Sequence, residues 1–262
     1  MAKTILDTIY EYKQEELAHF KHQIPLGELQ AQAKDTALAP SLVKVFSQKN
    51  PVLKIIAEVK HRSPSKGVLR KNFNPVEIAV AYAKAGAVAI SVLTDEHFFG
   101  GSLDHLKQIK NKVALPLLRK DFVFDEYQVY EAKVAGASSL LLIAKMLSKL
   151  QIQDLQGLAS EVGMDVLVEV YDPQELAKTS NPKLLGVNNR DLNTFEVDLS
   201  KTEALLPLLS KNVPLISESG LDRHQQLVDL NKKGVAGFLI GESLITKPDP
   251  GQALRELING PR

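Results

Sequence analysis

Charged and amide side chains stand at the ends of several short apolar segments. The run 52–56 leads into Glu58 and Lys60, and because side chains alternate along an extended strand, these two residues share one face. A carboxylate and an ammonium side by side are costly to bury, which indicates a functional role. Other apolar runs carry or lead into Lys120, Glu169, Asn188 and Arg190. If all six converge, three cations and two carboxylates form a site for an anionic substrate.

A second group of residues is suited to phosphate. Ser219 and Gly220 follow one apolar run, and Gly241 and Glu242 follow the next. Glycine lets backbone N–H groups approach an anion, and a helix N-terminus beginning at Gly241 would add partial positive charge. The pattern predicts that the site binds a sugar phosphate, but it does not identify the reaction.

Each of these residues also has an ordinary structural interpretation. A single Glu in an apolar strand is often half of a core ion pair, and a lone Lys at a strand end is often a surface residue. Residues 188–191, Asn-Asn-Arg-Asp, could form a capped turn, and the Ser and Gly positions could be helix N-caps. The six His show no metal-ligand spacing, so we expect no metal site. A functional site is favoured over these structural interpretations only if the candidate residues converge at one place.

The elements that must position these side chains can be read from the hydrophobic pattern. Amphipathic segments at 4–20 and 27–37 predict N-terminal helices. After them, short β-branched runs alternate with longer amphipathic stretches. The predicted strands are 52–60, 87–93, 115–120, 138–144, 165–170, 184–188, 213–218 and 236–240. The predicted helices are 75–85, 102–111, 125–135, 148–162, 172–180, 200–210, 222–233 and 249–258.

Eight strand-then-helix units predict a closed parallel (β/α)8 barrel, with residues 1–48 as an N-terminal helical extension and 1–262 as one domain. The strands are apolar on both faces, as expected when helices cover the outside. A doubly wound open sheet is the alternative, but it would usually carry a Gly-rich turn after its first strand, and none is present. In a barrel, all eight strand ends meet at one rim.

Composition narrows the class of protein. The formal net charge is +1, from 32 basic and 31 acidic residues, so we expect no nucleic-acid partner and no anionic membrane surface. Cysteine is absent, which excludes disulfides, thiolate metal sites and a cysteine nucleophile, and fits the cytoplasm. No segment resembles a secretory signal or a membrane span. We expect a cytoplasmic monomer that binds a small molecule.

Together these motifs resemble the indole-3-glycerol-phosphate synthase family of tryptophan biosynthesis. The resemblance covers nearly the whole chain and rests on the order of several short motifs rather than on any one of them. They are Glu58-x-Lys60 with Ser63-Pro64-Ser65-x-Gly67, Leu118-Arg119-Lys120-Asp121-Phe122, Leu167-Val168-Glu169-Val170, Gly186-Val187-Asn188-Asn189-Arg190-Asp191-Leu192 and Ser217-Glu218-Ser219-Gly220. An extra N-terminal helical segment is also a family feature.

The resemblance implies conversion of 1-(2-carboxyphenylamino)-1-deoxyribulose 5-phosphate to indole-3-glycerol phosphate, carbon dioxide and water, without cofactor or metal. Ring closure needs a carbonyl to be protonated, which suits Lys120 as general acid. Glu169 resembles the general base, since burial raises the pKa of a carboxyl group.

The remaining roles fall into three groups. Lys60, Glu58 and Asn188 resemble catalytic residues, with Glu58 as countercharge to Lys60 and Lys120. Arg190, Ser63, Pro64, Phe99, Phe122, Leu141 and Leu192 resemble substrate-binding residues. Ser219, Gly220, Gly241 and the backbone of Glu242 resemble the phosphate site.

Two departures and two alternatives stay open. His61 stands where many relatives have Lys or Arg, and Glu242 where some have Ser or Thr, which puts details of anion binding in doubt. Another phosphate-binding barrel enzyme, either an isomerase or a Schiff-base aldolase, is one alternative. Phosphoribosylanthranilate isomerase is disfavoured because its acid–base pair is Cys and Asp, and this chain has no Cys. A non-catalytic sugar-phosphate-binding barrel is the other. The sequence leaves open which Lys is the acid in each step.

Overall fold

In the computed structural model, residues 3–48, 52–210 and 212–260 are described. Three helices precede the first strand: α1 (Ile5–Gln23), α2 (Leu26–Asp35) and α3 (Leu42–Ser47). None of the described helices is long and apolar enough to cross a membrane. The predicted extension 1–48 and the predicted single domain 1–262 include residues 1, 2, 49–51, 211, 261 and 262, which lie outside the described residues.

Ten strands and nine further helices follow within the described ranges. The strands are β1 (Ile55–Val59), β2 (Arg62–Ser63), β3 (Gly67–Val68), β4 (Ala89–Leu93), β5 (Leu117–Lys120), β6 (Ser139–Ile143), β7 (Asp165–Val170), β8 (Leu185–Asn188), β9 (Leu215–Glu218) and β10 (Gly237–Ile240). The helices are α4 (Pro75–Ala85), α5 (Leu103–Lys110), α6 (Glu126–Val134), α7 (Lys149–Glu161), α8 (Pro173–Lys178), α9 (Ser200–Leu205), α10 (His224–Lys232), α11 (Glu242–Ile245) and α12 (Pro250–Asn259).

Strands β1 and β4 to β10 close into a parallel barrel. Neighbours pair in chain order, and β1 closes the ring by pairing with both β4 and β10. The predicted (β/α)8 barrel is therefore confirmed, and the open-sheet alternative is wrong. Closure matters for function because parallel strands bring all their carboxyl ends to one rim.

Two layers of apolar side chains hold the barrel together. Its interior is filled from alternate strand positions by Ile56, Leu118, Leu141, Leu167, Ile216 and Leu239. Side chains on the opposite strand faces, such as Ile55 and Val168, pack under the surrounding helices in a larger cluster. Because both faces are buried, the strands carry continuous apolar runs, and a polar side chain in one of them stands out.

The N-terminal helices cover parts of the barrel that its own helices leave open. Thr4 caps α1 and exchanges hydrogen bonds with Asp7, a capping box that fixes where the helix begins. Leu6 and Ile9 of α1 then join the interior cluster. Phe46 of α3 lies against Gly237, the first residue of β10, where a Cβ would collide with its ring. Helix α3 thus packs at the amino ends of the strands, and α1 reaches residues near the carboxyl ends.

Sequence reasoning missed the shortest elements. It predicted neither α3 nor the antiparallel hairpin β2–β3, which is made of two-residue strands. The predicted helix 200–210 ends as α-helix at Leu205 and continues as a single 3-10 turn, Leu206–Leu208. Elements of two to six residues carry too few periodic positions to be recognised from sequence.

Candidate active site

A cavity of about 470 Å³ opens at the carboxyl ends of the strands. The sequence motifs that line it come from β1, β5, β7, β8, β9 and β10 and from the loops that follow them. Every residue predicted for the site lies on its wall: Glu58, Lys60, Ser63, Pro64, Phe99, Lys120, Phe122, Leu141, Glu169, Asn188, Arg190, Leu192, Ser219, Gly220, Gly241 and Glu242. The structure therefore brings together all the residues that sequence reasoning singled out, while their roles stay predictions.

Lys120 lies between two buried carboxyl groups. Its Nζ is 3.1 Å from Glu169 Oε2 and 3.2 Å from Glu218 Oε2. Burial alone would lower the pKa of Lys120, but Glu169, Glu218 and the more distant Glu58 outweigh it and raise the pKa above its usual range. Lys120 is therefore a charged ammonium at neutral pH, positioned to donate a hydrogen bond or a proton.

Glu218 is the residue that sequence reasoning placed in a motif but left out of the site. It is 1% exposed at the end of β9, and its Oε1 has no hydrogen-bond partner. Gly186 on β8 leaves the space for it, since a Cβ there would collide with Glu218 Oε1. Burial raises the pKa of Glu218 to about 8; the Lys120 charge opposes this rise and the Glu169 carboxylate adds to it. The buried carboxyl group of Glu218 therefore holds its proton to a higher pH than an ordinary Glu does.

Glu58 and Lys60 form a second pair on β1 and the residue after it. Lys60 Nζ is 2.5 Å from Glu58 Oε1. Burial would raise the pKa of Glu58, but the charges of Lys60, Lys120 and Arg190 lower it overall. Glu58 forms its ion pair with Lys60, and its charge also raises the pKa of Lys120, whose own ion pairs are with Glu169 and Glu218. The role of Glu58 as countercharge to both lysines stays a prediction. Glu58 pairs with Lys60 because the two residues share a strand face, whereas Lys120 is on another strand.

Asn188 connects Glu169 to the β8 loop. Its Nδ2 donates a hydrogen bond to Glu169 Oε1 at 3.1 Å, and its Oδ1 accepts one from the Arg190 backbone N–H at 3.0 Å. The Arg190 side chain extends along the rim, where Nη1 donates to the Phe195 carbonyl at 3.1 Å and Nη2 lies 3.4 Å from Glu242 Oε2. Asn188 thus orients the Glu169 carboxylate, and Arg190 has N–H groups facing the cavity mouth.

The predicted phosphate residues form one edge of the cavity. Ser219 and Gly220 both have left-handed backbone, with φ of 66° and 76°. Such a pair of positive φ values is unusual when one residue is not Gly, and it turns the chain sharply at the end of β9. Gly241 is the N-cap of α11, which is only four residues long. The predicted helix N-terminus exists, but only the free N–H groups of a single turn can contribute there.

Lys66, which sequence reasoning did not select, also reaches this edge. Its Nζ lies 2.6 Å from Glu242 Oε1, and its backbone N–H donates to Ser63 Oγ at 3.2 Å. Glu242 therefore joins the loop after β1 to Arg190 through its carboxylate. A lysine directly after a Ser-Pro-Ser turn has no distinguishing spacing, so no sequence signal identifies it as a site residue.

Another part of the cavity wall is apolar. Pro64, Phe99, Phe122, Leu141 and Leu192 line it, and the rings of Phe99 and Phe122 lie 6.0 Å apart at 40°. Tilted aromatic side chains at this spacing make a surface suited to another ring. Across residues 3–48, 52–210 and 212–260, no group of three or more Asp, Glu or His side chains is arranged to hold a metal ion.

The chain matches one family model, described as indole-3-glycerol phosphate synthase, over residues 6–257. The chain belongs to the indole-3-glycerol phosphate synthase family. Proteins named indole-3-glycerol phosphate synthase from Campylobacter jejuni (serotype O:23/36, strain 81-176) and Dehalococcoides mccartyi (strain CBDB1) are 43% and 45% identical to it. Each alignment covers 97% of this chain and 100% of the relative. The family predicted from the motifs is confirmed.

Solved structures support the fold alone. A structure titled KGPDC from Streptococcus mutans aligns with a TM-score of 0.61 over 79% of this chain and 95% of that one, at 12% identity. Thiamine phosphate pyrophosphorylase from Pyrococcus furiosus aligns with a TM-score of 0.59 over 78% and 93%, at 18% identity.

Proposed function

We propose that this protein converts 1-(2-carboxyphenylamino)-1-deoxyribulose 5-phosphate to indole-3-glycerol phosphate, with Lys120 as general acid and Glu169 as general base. The observation that carries this proposal is the Lys120 ammonium, held 3.1 Å from Glu169 in a cavity with a Gly-lined edge and an aromatic wall. These three parts match the three parts of the substrate: a reacting carbonyl, a phosphate and an anthranilate ring.

Ring closure is the first step. Because the carboxylate later leaves as carbon dioxide, the ring carbon that carries it is the attacking atom. It forms a C–C bond to the ketone carbon, and the carbonyl electron pair moves to oxygen, which takes a proton from Lys120. A charged, pre-positioned ammonium lowers the barrier because the oxygen gains negative charge in the transition state. Glu169 and Glu218 keep that ammonium charged before the step.

Decarboxylation and dehydration follow. The C–C bond to the carboxylate breaks, and its electron pair returns to the ring as carbon dioxide leaves. The new hydroxyl then departs as water after it accepts a proton, while Glu169 removes a proton from the adjacent carbon to form the indole double bond. The acid in this last step is Lys60 or a reprotonated Lys120, and the proton that Glu169 takes up balances the one donated.

The other side chains hold the substrate for these steps. Asn188 orients Glu169, and Glu58 orients Lys60 at 2.5 Å. Arg190 is suited to the substrate carboxylate, since a guanidinium can grip it with two N–H groups. We assign the phosphate to Ser63, Ser219, Gly220, Gly241 and the backbone N–H of Glu242, and the anthranilate ring to Pro64, Phe99, Phe122, Leu141 and Leu192.

A fluorescence assay for indoleglycerol phosphate tests the activity. Purified protein is expected to form the product from the carboxyphenylamino substrate; folded protein that forms none would overturn the proposal. Lys120→Ala should lower kcat by about 10² to 10⁴-fold, the usual contribution of a general acid, while substrate still binds. Lys107→Ala is the matched control, because Lys107 is an exposed lysine on α5. Undiminished turnover by Lys120→Ala would place the acid elsewhere.

Schiff-base chemistry is the rival role for these lysines. A Schiff-base Lys must be a neutral amine to attack a carbonyl, and the two carboxyl groups around Lys120 favour its charged form. Borohydride reduction in the presence of substrate should therefore leave the mass of the protein unchanged. A trapped adduct on Lys60 or Lys120 would contradict the acid–base assignment.

We also propose that the protein acts as a cytoplasmic monomer without a nucleic-acid partner. The near-zero net charge supports the absence of a nucleic-acid partner. Size-exclusion chromatography with light scattering should give the 28.8 kDa mass of one chain. A mass of twice that value would overturn the monomer assignment.

A further inference from the structure

Helix α1 carries a lysine on its buried face. The residues of α1 that are buried are Leu6, Ile9, Lys13 and Leu17, at helical spacings of three and four. Lys13 therefore occupies a position in the apolar stripe that anchors the helix to the barrel, and it is only 4% exposed. A buried lysine is rare unless it is paired, so its partners decide what it does.

Lys13 reaches two buried aspartates on the barrel. Its Nζ lies 3.1 Å from Asp121 Oδ1 and 3.8 Å from Asp95 Oδ2, and it also pairs with Glu16 on its own helix. Burial would lower the pKa of Lys13, but the charges of Asp121 and Glu16 raise it above its usual range. Among the described residues, Lys13 is the sole ion-pair partner of Asp95, whose Oδ2 has no hydrogen bond.

Asp121 is the residue that directly follows Lys120. Its Oδ1 accepts a hydrogen bond from the Phe122 backbone N–H at 2.9 Å, and its Oδ2 accepts from Thr94 Oγ1 at 2.6 Å and Arg119 Nη2 at 3.1 Å. Lys13 thus contacts the same oxygen that fixes the backbone after Lys120. A shift of Asp121 would move both Lys120 and the ring of Phe122.

Asp95 has the same relation to the aromatic wall. Its Oδ1 accepts hydrogen bonds from the backbone N–H groups of Phe98 at 2.7 Å and Phe99 at 3.0 Å. Phe99 lines the cavity. The two aspartates therefore hold two parts of the site, the segment after Lys120 and the aromatic wall, and a single ammonium from the N-terminal helix contacts both.

We propose that Lys13 is a positioning residue for the reaction: its ammonium holds Asp121 and Asp95, and through them the backbone that presents Lys120 and Phe99. The inference rests on the proposed function and extends it to a residue that touches no substrate. It also gives the N-terminal extension a part in catalysis beyond packing.

The physical reason is the cost of an unpaired buried charge. Without Lys13, Asp121 keeps Arg119, but Asp95 has no cation and must take up a proton or move toward water. Either change alters the hydrogen bonds that fix the Phe98–Phe99 backbone and the turn after Lys120. Small displacements of this kind are expensive for catalysis, since a misplacement of about 1 Å can cost on the order of 100-fold in rate.

The test compares Lys13→Met with Lys21→Met. Lys21 is on the same helix and pairs with Asp125 at 2.8 Å, but it is exposed and neither residue lines the cavity, so its loss should change kcat/KM by less than about twofold. We expect Lys13→Met to lower kcat/KM by about 10- to 100-fold. Displacement of Lys120 through Asp121 should lower kcat, and displacement of Phe99 through Asp95 should raise KM. Assays are run where circular dichroism shows both variants folded.

A cysteine at this position supplies a rescue. The chain has no cysteine, so Lys13→Cys would carry the sole thiol. Alkylation with bromoethylamine in denaturant, followed by refolding, restores an ammonium of nearly the same length. The aminoethylated protein should recover most of the activity that Lys13→Cys loses, with wild-type protein taken through the same treatment as reference. No recovery in a refolded sample would contradict the role of the charge.

A double-mutant cycle covers the case in which Lys13→Met does not fold. Lys13→Met combined with Asp121→Asn is expected to fold, because it removes both charges of that buried pair, leaves Arg119 paired with Glu131, and removes the repulsion of Asp95 by Asp121. If Lys13 acts through Asp121, adding Lys13→Met to Asp121→Asn should lower kcat by much less than adding Lys13→Met to the wild type. If Lys13→Met alone is unfolded, the double variant should have a kcat less than about threefold below that of Asp121→Asn. A folded Lys13→Met with wild-type kcat and KM, or additive effects in the cycle, would overturn the inference. Inactive wild-type protein would instead overturn the proposed function.

Discussion

Glu218→Gln tests the buried carboxyl group opposite Lys120 through the pH dependence of stability. The substitution keeps the size of the side chain and removes its titration. The pKa of Glu218 is about 8 in the folded protein against an ordinary value of 4.5. Folded protein therefore holds a proton that unfolded protein releases between these values, so unfolding releases a proton and rising pH favours it. The stability is fully present below pH 4.5 and is lost as pH rises through about 8.

The size of the effect follows from the same two values. Each pH unit in that window changes the free energy of unfolding by about 1.4 kcal/mol. From about pH 5.5 to about pH 7.5, wild-type protein should lose about 3 kcal/mol more than Glu218→Gln. Urea unfolding followed by far-UV circular dichroism at the two pH values measures this, since the chain has no Trp for fluorescence. Glu15→Gln, which changes an exposed carboxylate on α1, should behave as wild type.

The kinetic counterpart separates the two carboxyl groups around Lys120. If Glu218 keeps its proton at neutral pH, a Gln there resembles the native group, and activity should fall by less than about tenfold. Glu169→Gln removes the proposed base and should lower kcat by about 10² to 10⁴-fold. Identical pH slopes for wild-type protein and Glu218→Gln, or a larger kinetic loss at Glu218 than at Glu169, would refute the reasoning.

Two further predictions concern the phosphate edge. Glu242→Gln removes the carboxylate that pairs with Lys66 at 2.6 Å, so the Lys66 ammonium should become free to bind phosphate. The inhibition constant of inorganic phosphate should therefore fall several-fold, and an unchanged constant at low salt would contradict this. Gly241→Ala should lower kcat at least tenfold, because a Cβ at this position collides with the Glu58 side chain that orients Lys60. Its control is Gly157→Ala, in a helix with open space around the Cβ, which should keep full activity and gain up to about 1 kcal/mol of stability; equal activity of the two variants would sink the argument.

Most of the fold and the centre of the site follow from local sequence patterns. Strand ends such as Glu58–Lys60 and Glu169 were predictable because a polar side chain in a strand buried on both faces has few structural explanations. The closed barrel then determines that these ends meet, so distant motifs could be combined without knowing any distance. The family prediction rested on that order of motifs and is confirmed by the match over residues 6–257.

The residues that were missed share a different property: their role depends on a partner far away in sequence. Lys13 looked like an ordinary polar residue on an amphipathic helix, although its place in the stripe between Ile9 and Leu17 was a usable signal. Glu218 stood beside Ser219 and Gly220, and the phosphate motif drew the interpretation away from its own carboxyl group. In both cases the sequence shows the charge but not what surrounds it, and the surroundings set its pKa and its partners.

Strand β5 and the residue after it contribute both to the cavity and to the buried charged group formed by Arg119, Asp121 and Lys13. Lys120 faces the cavity, whereas Arg119 turns the other way and donates to the Gln128 carbonyl of α6 at 2.8 Å. Asp121 then joins Arg119 and Lys13 in the layer outside the barrel. Because neighbouring side chains of a strand point to opposite faces, Lys120 and the aspartate that supports it from outside, Asp121, are separated by a single peptide bond. A charge change outside the barrel therefore reaches Lys120 through the backbone, so a variant that touches no substrate can still lower kcat.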